Sequence, residues 1–258
     1  MAIGSVGGIY ETGVRAHDRH ADAAPGALYN VGGHRLHLNC TGSGSPTVVL
    51  ENGLRATSAN WARVTAEVSG TTRVCAYDRA GQSWSDDIDA PHDGLAIAAD
   101  LHNLLAVAGE QSMMRRGLGV LPSLARLGAT QVLPTSAWSS LPEPAASQVQ
   151  AFASSPRGMR NMRDEQSMYP KVFEQAKALT SLDGKPLVVV TATESIDKHK
   201  EWTDLQDRLA EQSSNSQHRV ADATHAALID DHDSYKSAVQ AIVDVTQAVR
   251  TEQPVATR

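Results

Sequence analysis

The chain has 258 residues, enough for one sizeable α/β domain with a buried core. Hydrophobic residues make up 41% and charged residues 20%, the balance of an ordinary globular protein. A formal net charge of -6 and an aromatic content of 4% supply neither the positive surface nor the stacking platforms that nucleic acid needs, so nucleic acid is not an expected partner.

The first residues, MAIGSVGGI, are apolar only briefly and lack a basic leader. No usable secretion signal or anchor is expected from them, and a cytoplasmic location is the default. They also fit the tail of a longer hydrophobic segment. Residues Ile9–Pro25 read as a short helix or arm. Leu28–Cys40 holds two β-rich pieces around Gly32-Gly33, a hairpin signal. After the loop Thr41–Pro46, Thr47–Leu50 is a continuous apolar strand of the kind buried in a parallel sheet. Ser58–Val68 spaces Trp61, Val64 and Val68 along one helix face, Arg73–Tyr77 is a second buried strand, and Leu95–Val107 is a strong helix. The order β-β-β-α-β-α calls for an α/β sheet.

Residues 109–185 contain no convincing strand. Met113–Leu127, Ala145–Ala153 and Met159–Leu179 read as helices of an insertion. Pro186–Ala192 is again an apolar strand, followed by a helix at Trp202–Gln212, a short strand at His218–Ala221 and a final helix at Ser234–Arg250.

Cys40 and Cys75 sit in apolar strand-like runs. They read first as buried small hydrophobes and second as a disulfide, with reduced thiols expected because no signal for an oxidising compartment is visible. No C-x-x-C or Cys/His pattern indicates a metal, and neither metal nor cofactor is expected. His34 and His37, on one strand, are expected at the surface.

The stretch GHRLHLNCTGSGSPTVVLENGLRATSANWARV, then TTRVCAYDRAGQSWSD and IAADLHNLLAVAG, resembles the N-terminal half of bacterial α/β-hydrolases. PLVVVTA and LQDRLAEQSSNSQHRVADATHAALIDD resume the likeness, which covers about 150 of the 258 residues in the correct order. The resemblance implies a mostly parallel sheet with a helical lid. It divides the chain into an arm (1–27), the first half of the core (28–110), the lid (111–185) and the second half (186–258). It also puts the strands of Cys40 and Cys75 side by side. The implied reaction is ester or amide hydrolysis of a small molecule by a Ser…Asp/Glu…His triad.

On that reading His225, in ADATHAALI after the last strand, is the general base. Asp197, in the TESIDKHKEW loop, is the first choice for the triad acid and Glu194 the alternative. The N–H of Leu54, after Asn52-Gly53, is the candidate oxyanion donor. The nucleophile is missing from this scheme: no G-x-S-x-G occurs in the chain, and Gly109 runs into EQSMMRRGLG where the family has its strand, elbow and helix. Ser83, in Gly81-Gln82-Ser83, is the nearest match. It stands where the family's D-R-x-G-x-G-x-S loop has its second glycine, so it reads as a loop substitution. Ser112 and Ser123 are remoter candidates. A sheet lacking central strands and an impaired hydrolase follow. The alternatives are an active hydrolase using Ser83 and a ligand-binding protein without catalysis.

Overall fold

The computed structural model describes residues 24–89, 92–109 and 140–256. Strands β1 (Ala27–Asn30) and β2 (Arg35–Thr41) form the expected antiparallel hairpin. Gly32 and Gly33 turn it at φ of 113° and 123°, where a side chain would be strained. The Asn30 Oδ1 accepts both of their N–H groups, at 3.0 and 3.2 Å.

Strand β4 (Val74–Asp78) is buried at every position. It pairs antiparallel with β2 on one side and parallel with β3 (Val48–Leu50) on the other, giving the order β1-β2-β4-β3. Its residues alternate between two cores, as the period of a strand requires. Cys75 and Tyr77 join Leu36, Leu38 and the Leu101, Leu104 and Leu105 face of helix α2 (Gly94–Val107). Val74 and Ala76 join Leu50, Val64 and Val68 of helix α1 (Ala62–Val68), which follows a 3₁₀ turn at Ser58–Trp61. Each such buried aliphatic side chain contributes about 1.5–3 kcal/mol. Asp93 starts α2 by accepting the N–H groups of Leu95 and Ala96.

Helices α3 (Ala145–Ser154), α4 (Pro156–Ser167) and α5 (Tyr169–Ala176) follow. Leu141, Ala145 and Val149 seat α3 on Ala59 of the 3₁₀ turn. The single helix expected over Met159–Leu179 is two. Pro170 falls in the first turn of α5, where its missing N–H costs nothing, whereas inside a continuous helix it would break the ladder. The predicted arm at Ile9–Pro25 and helix at Met113–Leu127 lie largely or wholly outside the described residues.

Strands β5 (Leu187–Ala192) and β6 (Ser216–Ala221) form a separate parallel pair, with Leu187 opposite Ser216 and Ala192 opposite Ala221. Helix α6 (Thr193–Lys198) follows β5 at once, so the TESIDKHKEW segment expected as a loop opens as helix. Helix α7 (Trp202–Ala210) covers Leu187 and Val189 with Leu209 and Ala210. After a short helix α8 (Ala227–Asp230), the long helix α9 (Tyr235–Thr251) touches both α1 and β5 and so joins the two halves. Among the described residues β3 pairs only with β4 and β5 only with β6. Among the described residues the sheet is therefore small and partial. No helix among the described residues is long and apolar enough to cross a membrane.

Two expectations need correction. Cys40 and Cys75 do lie on adjacent strands, but they are bonded as a disulfide rather than reduced. They are directly opposite across the β2–β4 pair with Cα atoms 4.0 Å apart, a proximity set by strand register that spacing along the chain does not reveal. The histidines of the hairpin are not surface groups either. His37 is fully buried, because β2 is flanked by strands on both sides. Its Nδ1 lies 2.8 Å from Asp78 Oδ2, its Nε2 contacts the Pro25 carbonyl, and its N–H donates to Ser85 Oγ at 2.9 Å. Ser58 completes the partners of Asp78 through its N–H (2.7 Å) and hydroxyl (3.0 Å). His34 is half-buried against Asp100.

Candidate functional site

Because β5 and β6 run parallel and in register, the segments leaving them emerge at the same edge. Three contacts, two of them involving backbone groups, knit them together there. Glu194 N–H donates to the Ala223 carbonyl at 3.2 Å, Ala223 N–H to Thr193 Oγ1 at 3.3 Å, and Thr193 Oγ1 to Asp222 Oδ1 at 3.2 Å. One step further along, the N–H of His225 donates to Glu194 Oε2 at 2.9 Å, while Lys198 Nζ holds Glu194 Oε1 at 2.6 Å. Those two donors, Lys198 first, hold the Glu194 carboxyl below its ordinary range.

Of the two acids singled out in the sequence, Glu194 is the one in hydrogen bond with His225. Asp197 is exposed, one turn farther along α6 from the end of β5. The reason is local: helix begins at residue 193, so the first-turn acid faces the neighbouring loop. Glu194 holds the backbone of His225, however, and among the described residues the imidazole itself makes no hydrogen bond. Burial lowers the His225 pKa below its ordinary value. Glu194 opposes that shift and Lys198 adds to it. By surface area the residue is nonetheless exposed. A neutral, accessible imidazole has the protonation state a general base requires.

Asp230 lies five residues beyond His225. Its side chain is buried, its Oδ2 has no partner, and burial, with Asp231 second, pushes its carboxyl up to about 7.

The turn after β3 carries the candidate oxyanion donor. Leu54 sits in a turn closed by Ala56 N–H to the Gly53 carbonyl at 3.3 Å, with Arg55 at a φ of 64°. Arg79, at the end of β4, pins this turn. It donates to Glu51 Oε1 (2.7 Å) and to the carbonyls of Asn52 (2.6 Å) and Gly53 (3.2 Å), and it also donates to Glu165 Oε1 of α4 at 2.6 Å. Gln82 joins Glu165 at 2.9 Å and Asn52 at 3.0 Å, and Tyr77 donates its hydroxyl to Glu51. Burial alone would weaken the Arg79 charge. Glu165 and Glu51 outweigh it and hold the guanidinium pKa above its ordinary value. This hub was not singled out from the sequence. Arg79 stands inside the D-R-x-G motif, but Glu165 lies in a polar helix with no distinguishing signal.

Ser83 lies on the loop after β4 with a φ of 35°, a left-handed backbone that glycine adopts without strain. Its carbonyl, like that of Ser85, accepts from Arg157 of α4, which also pairs with Asp87 at 2.5 Å. The geometry agrees with a serine standing at a glycine position. His225 and Ser83 share no hydrogen-bond partner among the described residues. Ser112 and Ser123 lie outside the described residues. One group of possible metal ligands occurs among the described residues, His34, His92 and Asp100.

No known family model matches the chain. An uncharacterised protein of Schizosaccharomyces pombe is 32% identical over 139 residues, 41% of this chain, and the chain spans only 26% of that relative's length. Among solved structures, the enol-lactonase from Burkholderia xenovorans aligns with a TM-score of 0.59 at 16% identity, covering 86% of this chain and 100% of the other. An α/β-hydrolase fold protein from Burkholderia ambifaria aligns with a TM-score of 0.59 at 18% identity, covering 84% and 97%.

Proposed function

We propose that this chain, which has the α/β-hydrolase fold, descends from hydrolases of small esters or amides and retains only part of their catalytic apparatus. The observation that carries the reading is the hydrogen bond from the His225 backbone N–H to Glu194 Oε2, which sets the two residues side by side at the common edge of β5 and β6, in a sequence without G-x-S-x-G. In a complete triad the serine attacks the acyl carbon, the histidine takes its proton, and the acid orients the imidazole. Here His225 and Glu194 are the remaining base and acid, and Leu54 N–H is the remaining oxyanion donor. Ser83 serves its loop as a glycine substitute. Asp197 is solvated and plays no part.

The energetic consequence is large. Loss of the nucleophile from a serine triad costs on the order of 10⁶ in kcat, and loss of one oxyanion donor about 10²–10³. Purified protein exposed to a fluorophosphonate probe and to a short-chain p-nitrophenyl ester should label slowly and turn over close to the buffer rate. Rapid labelling, abolished by both Ser83→Ala and His225→Ala, would establish a working serine hydrolase with a displaced nucleophile. A rise in melting temperature with a small ester analogue, without turnover, would point to ligand binding under the lid instead.

A further inference from the structure

We propose that His34, His92 and Asp100 form a divalent transition-metal site, suited to zinc, that clamps the β1–β2 turn to helix α2. The three residues come from three places: the end of the hairpin turn, the segment before α2, and the second turn of α2 itself. One ligand atom from each lies within 4.8 Å of both others. His34 Nε2 is 2.9 Å from Asp100 Oδ2, and His92 Nε2 is 3.2 Å from the same oxygen. Zinc bonds of about 2.0–2.1 Å to nitrogen and oxygen place tetrahedral ligand atoms roughly 3.3 Å apart, so only small side-chain adjustments are needed to admit the ion.

The chemistry of the set agrees with the geometry. Two imidazoles and one carboxylate are borderline ligands that suit zinc better than calcium or magnesium, which favour all-oxygen shells. All three side chains are mostly covered but not sealed, with exposures of 17%, 14% and 17%, so an ion and a fourth, water ligand can reach them from solvent. Without an ion the cluster is held by hydrogen bonds. One carboxylate oxygen faces two imidazole nitrogens, which requires both rings to carry their proton on Nε2 and point it at the same atom. Sequence reading missed the site because no Cys/His spacing motif joins the residues. Position 34 meets 92 and 100 only through the fold.

The test is zinc titration of the metal-free full-length chain by calorimetry, with melting temperature and cobalt absorption as parallel readouts. One equivalent should bind, the melting temperature should rise, and Co²⁺ should give the visible bands of a four-coordinate N/O site. His34→Gln, His92→Gln and Asp100→Asn, each first shown to be folded by circular dichroism, should each weaken binding at least about tenfold, the scale of much milder changes around metal ligands. His232→Gln, at an exposed histidine, should leave it unchanged. No binding at millimolar zinc, or binding that survives all three substitutions, overturns the site.

Discussion

The guanidinium of Arg79 donates to the Glu165 carboxylate at 2.6 Å, and this pair ties helix α4 to the loops that end β3 and β4. Arg79 meets Glu51 as well, at 2.7 Å, and all three side chains are almost fully covered. Removing one partner of a buried pair strands a charge at a cost of about 3–5 kcal/mol. Arg79→Met strands two carboxylates, whereas Glu165→Gln leaves the arginine paired with Glu51. Urea denaturation should therefore show the arginine variant to be the less stable of the two. Equal losses, or the reverse order, would mean that the hub is not centred on Arg79.

Periodicity made most of the framework legible. The hairpin at Gly32-Gly33, the buried strands Val74–Asp78 and Leu187–Ala192, and helices α2 and α9 all lie within a few residues of their expected places. Those elements owe their form to local patterning, which a sequence displays. Long-range features were less accessible. The burial of His37 depends on its strand being interior, and the Cys40–Cys75 bond depends on register. The acid contacting His225 depends on a helix starting at Thr193 rather than on distance along the chain. Glu165 and Asp100 enter their clusters only when distant segments meet, and no residue-type pattern marks that in advance.

Asp230 should make stability fall as pH rises. Its carboxyl is pushed up to about 7 in the folded chain from an ordinary 3.8, chiefly by burial. Between those values the folded state binds more protons than the unfolded state, so folding loses free energy as pH increases through the window. Above about pH 7 the penalty is complete, at roughly 4 kcal/mol as an upper bound. Asp230→Asn cannot ionise and should melt higher than the parent at pH 8, with the difference shrinking towards pH 4. A difference independent of pH would remove Asp230 as its cause.

The disulfide closes a stretch with a sequence separation of 35. Chain-entropy reasoning gives such a cross-link about 3–4 kcal/mol of stabilisation. The denatured, unreduced protein should show no free thiol, and the urea midpoint should drop in the presence of reductant. Two free thiols on denaturation would restore the reduced state expected from the sequence.

Ser83 offers the sharpest separation of loop chemistry from catalysis, through Ser83→Gly. A non-glycine residue in the left-handed region costs about 1–2 kcal/mol, part of which glycine returns through its greater freedom when unfolded. With a φ of 35° at Ser83, the net change should fall between neutral and about 1 kcal/mol more stable. The Arg157 contact persists, because it uses the Ser83 carbonyl and not the hydroxyl. The same substitution deletes the Ser83 hydroxyl that a displaced triad at this loop would use, so residual ester hydrolysis provides an independent readout. We expect the melting temperature to hold or rise and the residual rate to stay where it was. A stable Ser83→Gly protein whose hydrolysis collapses would make Ser83 the nucleophile, and the left-handed backbone would then be the strained turn that presents it.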